Sequence, residues 1–241
     1  MLAGVYRSLD PDKITETARL IASRIAERFP GSGLSNLAGE LHAEVRAATE
    51  TSRWLAGPRL WVRVLAITAI VLMLAAMGAT FFLLNRSVAL FSSVADYLQG
   101  LDALINEVVL IGVAIFFLVG LETRIKRARA LKAIHALRSM AHIIDMHQLT
   151  KDPERLAGHR DDTPSSPQRR MTAFELERYL DYCSEMLSII SKTAALYVQD
   201  FSDPVTLAAV DEVQDLTTGL SQKMWQKIMI LERVDATRVN T

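Results

Sequence analysis

The best candidate for metal chemistry in this chain is a group of four side chains, His135, His142, Asp145 and His147. On a helix His142 and Asp145 share a face and His135 lies two turns before His142, but His147 turns away from His142 by about 140° at 100° per residue. Zinc asks for three or four convergent ligands, so no metal site is expected. Other routes to catalysis are missing from the sequence: no Gly-rich phosphate loop, nucleophile elbow, paired-Cys motif or HExxH. Cys183 is the one cysteine. It falls on a helical core position, where an inert buried thiol is the expectation, and alone it cannot form an intramolecular disulfide. The reading is a protein that is not an enzyme and carries no cofactor.

A carboxylate in an apolar setting is more informative. In "LINEVVLIGVAIFFLVGLETRIKRARALK", residues 104–132, Asn106 and Glu107 precede 14 uncharged residues ending at Leu121, after which the sequence turns basic. Fourteen helical residues cover about 21 Å, short of the ~30 Å hydrocarbon core of a bilayer. Counting roughly 20 residues back from Leu121 puts the outer boundary near Asp102 and Glu107 about 8 Å inside it. An ionisable group there costs on the order of 2–3 kcal/mol unless it is paired or hydrated. Two readings follow: Glu107 pairs with Arg86 at the outer interface, or it faces a water-lined path in which Asp102, Asn106 and Glu107 form a polar rim.

The elements that must position these residues are two membrane spans. Val64 to Asn85 is a run of 22 residues without a charge, and the expected spans are about 61–85 and 102–121. The chain has only 241 residues, too few to enclose helices that are apolar all round. Arg53, Arg59 and Arg63 precede the first span, and Arg124, Lys126, Arg127, Arg129 and Lys132 follow the second. By the positive-inside rule both termini are cytoplasmic. The second basic run also attracts anionic lipid, at about 1 kcal/mol per residue near the surface, or an anionic ligand such as a nucleotide. Leu90, Val94 and Leu101 recur at helical spacing before the second span, which suits an amphipathic helix leading into it. The pairs Ala75/Ala79 and Ala76/Thr80, with Gly78, Gly112 and Gly120, suit close helix packing in a homo-oligomer.

Composition is balanced, 27 basic against 27 acidic side chains with 50% hydrophobic residues, and the chain reads as helical throughout. Asp10-Pro11 opens a helix with Ile14, Ala18, Ile21 and Ile25 on one stripe, which Pro30-Gly31 ends. A second helix, about Ser35 to Trp54, carries Leu37, Leu41, Val45 and Ala48; together residues 1–57 form N-terminal cytoplasmic helices. Residues 58–121 hold the transmembrane hairpin. Residues 122–150 continue as a basic helix with Ile134, Leu137, Ala141 and Ile144 inward, and 151–171, rich in Pro and charge, are a linker. Thr172 and Glu175 form a capping-box pattern. Leu176, Leu180, Cys183, Leu187, Ile190, Ala194, Tyr197 and Phe201 then follow at heptad spacing, and after Asp203-Pro204 so do Val210, Val213, Thr217, Leu220, Met224, Lys227 or Ile228, and Leu231. Residues 172–235 are therefore an antiparallel helical hairpin. The fold class is all-α: an integral-membrane two-helix hairpin with a cytoplasmic helical bundle, coiled-coil-like in its last pair.

The stretch "LETRIKRARALKAIHALRSMAHIIDMHQLTKDP" resembles a segment of two-pass bacterial inner-membrane proteins of unassigned function, and the order of parts over about residues 60–235 is similar. The resemblance implies placement in a bacterial inner membrane and brings no site residues. The resulting expectation is a homo-oligomeric membrane protein, channel-like and gated through its cytoplasmic helices. Its rival is a membrane-tethered scaffold that recruits a cytoplasmic protein through 172–235.

Overall fold

Asp10 starts the first helix, its carboxylate accepting from the backbone N–H groups of Asp12 (3.0 Å) and Lys13 (3.3 Å) while Pro11 takes the first helical position. The computed structural model describes residues 8–87, 94–151, 153 and 171–239. Among them are α1 (Pro11–Arg28), α2 (Gly33–Ala56), α3 (Leu60–Ser87), α4 (Val94–Val119), α5 (Leu121–Leu149), α6 (Ala173–Gln199) and α7 (Pro204–Val239), and no strand. The chain divides into two units: Gly57–Ala128, and Met1–Ala56 with Arg129–Thr241. The sequence-predicted linker falls almost wholly outside the described residues.

The larger unit is a helical bundle. The stripe Ile14, Ala18, Ile21 and Ile25 is buried as its spacing predicts, and Gly31, at φ +67°, turns the chain into α2. Helix α2 starts two residues before its predicted boundary because the Ser32 hydroxyl accepts from the Ser35 N–H at 3.1 Å. The capping box that opens α6 is complete: Glu175 N–H donates to Thr172 Oγ1 at 3.2 Å, and Thr172 N–H donates to Glu175 Oε2 at 2.7 Å. Asp203 caps α7, accepting from the Thr206 N–H and hydroxyl at 3.0 and 2.9 Å.

The heptad positions of α6 from Leu176 to Tyr197 are buried, and so are those of α7 from Val210 to Leu231. Yet α6 is no two-stranded seam. Tyr179, Tyr182, Met186, Ile189 and Leu196 are buried as well, and α6 packs on α1, α2 and α7 together. It is the central helix of the core, with apolar residues on most of its circumference. Helix α5 contributes Ala130, Ile134, Leu137, Ala141 and Ile144 to the same core.

The smaller unit packs α3 against α4. These helices carry the two stretches long and apolar enough to cross a membrane, and almost none of either stretch is buried. Leu72, Phe116, Leu110 and Val119 expose two thirds or so of their surface. From Val94 onward the predicted amphipathic lead and the second span form one helix, α4, that ends at a break on Gly120 before α5 begins; Leu90 lies outside the described residues.

Candidate functional site

Two polar features interrupt the apolar hairpin. The first is a groove of about 390 Å³ between α3 and α4, lined by Met73, Ala76, Ala103, Asn106, Glu107, Leu110 and Ile111. The small side chains of Ala76 and Ala103 leave the space, and helical spacing places Ala103, Asn106 or Glu107, and Leu110 on one face of α4. Glu107 is half-buried, and among the described residues it makes no hydrogen bond or ion pair. Asn106 and Asp102 are exposed, and Asp102 is not among the groove's lining residues. The sequence-predicted rim is thus brought together for Asn106 and Glu107 alone. The Arg86 side chain lies outside the described residues.

The second feature closes the base of the hairpin. Glu122 accepts from Arg63 Nε at 2.6 Å through one oxygen, and through the other from the Arg59 backbone N–H at 3.1 Å and the Lys126 ammonium at 3.1 Å. The Arg59 N–H opens α3, where the helix dipole favours an anion. Glu122 therefore caps α3 from the far end of the hairpin. The Arg63 guanidinium, aided by the Arg59 N–H and Lys126 and opposed by partial burial, holds the Glu122 carboxyl at about 2, far below the usual 4.5. In the sequence Glu122 stands beside Arg124, Lys126, Arg127, Arg129 and Lys132, where its sign alone gives no hint of a partner on α3.

That basic run is not one patch. Lys126 is buried and ion-paired to Glu122, and the Arg124 guanidinium stacks on the Phe117 ring at 4.5 Å. Arg129 belongs to the bundle, where it stacks on Trp54 at 4.4 Å. Arg127 is half-buried and Lys132 exposed.

The histidines of α5 do not converge. His135 and His142 are exposed, the Asp145 carboxylate accepts from Gln148 Nε2 at 2.7 Å, and His147 packs on Gly33. Among the described residues no three His, Cys, Asp or Glu side chains are grouped to hold a metal. Cys183 is fully buried, and burial pushes its thiol up to about 12 against the opposing charges of Lys227 and Lys151. No protein-family model, curated protein or solved structure matches this chain.

Proposed function

We propose that this chain is a non-enzymatic, two-pass integral protein of a bacterial inner membrane that assembles from several copies into a channel-like effector. In this reading α3 and α4 are the spans, the bundle is cytoplasmic and carries the gating signal, and the copies meet along the Asn106–Glu107 groove. The observation that carries it is Glu107: a carboxylate on an apolar helix, lining a groove beside Ala76 and Ala103 and without a partner among the described residues. In hydrocarbon such a group takes its hydrogen bonds from water or from another copy. Ala76, which lines the groove, is ten residues from Arg86 on α3, about 15 Å by helical rise, which favours an outside partner over Arg86. Arg59 just before α3, Arg63 in its first turn and Arg124 after α4 support one cytoplasmic side for both ends of the hairpin.

The test is current recording on purified protein in planar bilayers, joined to chemical cross-linking. A cation-selective current that weakens in Glu107→Gln, with cross-linked multimers in both proteins, supports the reading. Absence of both current and multimers rejects it.

The scaffold reading is favoured by one observation, the exposure of Trp225 and Met229 one turn apart on α7, 57% and 52%. Deleting 172–235 would remove the central helix of the core, so the suitable variants are Trp225→Ala and Met229→Ala. Loss of a captured partner from both, with the bundle still folded, would support the scaffold; capture equal to that of the parent protein would count against it.

A further inference from the structure

We infer that the groove between α1 and α6 is a docking site for an acidic amphipathic helix of a partner protein. The inference goes beyond the channel reading and does not depend on it, since α3 and α4 take no part. The groove has a volume of about 700 Å³. Asp10, Lys13, Thr17, Leu20 and Arg24 line it at alternating spacings of three and four, so it follows one face of α1 for 14 residues, about 21 Å by helical rise. Glu185, Ser188, Ile189 and Lys192 form the facing wall on α6. Both ends are pinned. Leu9 N–H donates to Gln199 Oε1 at 2.8 Å, and the Phe29 ring meets Tyr179 and Tyr182 edge-on at 5.7 and 6.3 Å, which sets α1 antiparallel to α6. A groove between helices fixed in this way asks little reorganisation of the protein on binding.

The lining selects the occupant. Ile14, Ile21 and Ile189 give the groove an apolar base, and Leu9 and Leu20 keep 37% and 40% of their surface exposed for a further apolar stripe to cover. Three cations, Lys13, Arg24 and Lys192, stand against two acids, Asp10 and Glu185. Asp10 is committed to the cap of α1 and lies 4.0 Å from Lys13, and Glu185 Oε2 is out of contact with solvent. Among the described residues Arg24 makes no hydrogen bond or ion pair, and the Lys192 ammonium donates only to the Ser188 hydroxyl. These exposed cations favour an anionic partner. Lys13 and Arg24 stand eleven residues apart on one face of α1, about 16 Å by helical rise. The occupant therefore carries negative charge at two distant points, which the single carboxylate of a fatty acid does not provide. Carboxylates eleven residues apart on a partner helix repeat both the distance and the face. Strand addition has no edge to use, because both walls are helices.

The test uses the full-length protein in phosphatidylcholine nanodiscs and three fluorescent synthetic peptides of about 18 residues, long enough to fill the groove as helices. Each carries one helical stripe of Leu, flanked at positions eleven apart by Glu, by Gln or by Lys. Anisotropy, corrected for binding to empty nanodiscs, should show the Glu peptide held about tenfold more tightly than the Gln peptide, and the Lys peptide more weakly still. Arg24→Gln and Lys192→Gln should each weaken the Glu peptide about threefold, the loss of one exposed ion pair, and leave the Gln peptide unchanged. Leu20→Glu, a change on the exposed rim, should abolish binding of the Glu peptide while circular dichroism shows the bundle still folded. Equal binding of the Glu and Gln peptides overturns the inference. So does binding of the Glu peptide that none of the three variants weakens, or binding of no peptide at all. Dodecanoate that binds in a manner sensitive to Lys192→Gln, with every peptide unbound, would assign the groove to a fatty acid and overturn it too. A failed channel recording leaves these outcomes untouched.

Discussion

Replacing Glu122 by Gln keeps the shape of the side chain and removes the charge around which the hairpin base is arranged. The carboxyl sits at about 2 in place of 4.5, a shift that corresponds to about 3 kcal/mol of linkage at ~1.4 kcal/mol per unit. Glu122 is 15% exposed but its main partner Arg63 is 56% exposed, so solvent screening reduces the expected loss to about 1–2 kcal/mol. The sign is set by a depressed carboxyl: its contribution is complete above the unfolded value and disappears as pH falls through the folded one. Unfolding of the detergent-solubilised protein, followed by circular dichroism, should therefore show Glu122→Gln weaker than the parent at pH 7. The gap should close between about pH 5 and pH 2, where the parent carboxylate takes up its proton. Molar salt should narrow it at pH 7. No gap at pH 7 would refute an ionic latch, and a gap that persists unchanged at pH 2 would show that shape, not charge, makes the difference.

Three further outcomes follow from the bundle. The Tyr197 hydroxyl is buried without a hydrogen-bond partner among the described residues, so Tyr197→Phe should be neutral or stabilising by up to about 1 kcal/mol in denaturant unfolding; a loss of more than that would reveal a hidden partner. Cys183 should resist a maleimide in the native protein at pH 7 and react at once in denaturant, its thiol being both buried and held near 12; rapid native labelling would contradict the packing of α6. Thr172→Ala breaks one half of the α6 capping box and should cost about 1 kcal/mol, read as a shift in the denaturant midpoint; an unchanged midpoint would mean that α6 is ordered by its core contacts alone.

Local chemistry made most helix boundaries legible. Asp10-Pro11, Thr172 with Glu175, and Asp203-Pro204 each satisfy or spare orphan backbone donors, a requirement set by the helix itself and independent of tertiary context. Burial on α1 followed the same way, because one narrow stripe has only one face to hide. Helix α6 was less legible for the opposite reason. Counting at heptad spacing selects one seam and passes over Tyr179, Tyr182, Met186 and Ile189, which are buried because three other helices surround α6. Periodicity reports the best single face of a helix and is blind to a second one when both are apolar.

The candidate site divides along the same line. Glu107 stood out because an acid beside a long apolar run conflicts with its own segment, and a conflict of that kind is visible in sequence. Glu122 conflicts only with its neighbours' sign, and charge counting absorbs it as one negative among many positives. Hairpin geometry gives it meaning. When two helices of similar length pack antiparallel, a residue in the first turn of one meets a residue just past the end of the other, and here those are Arg63 and Glu122. An acid in a basic flank, set against a base at the mirrored position, therefore marks the point where such a hairpin closes. Its removal is predicted to loosen that base, while the bundle core, built from other contacts, holds.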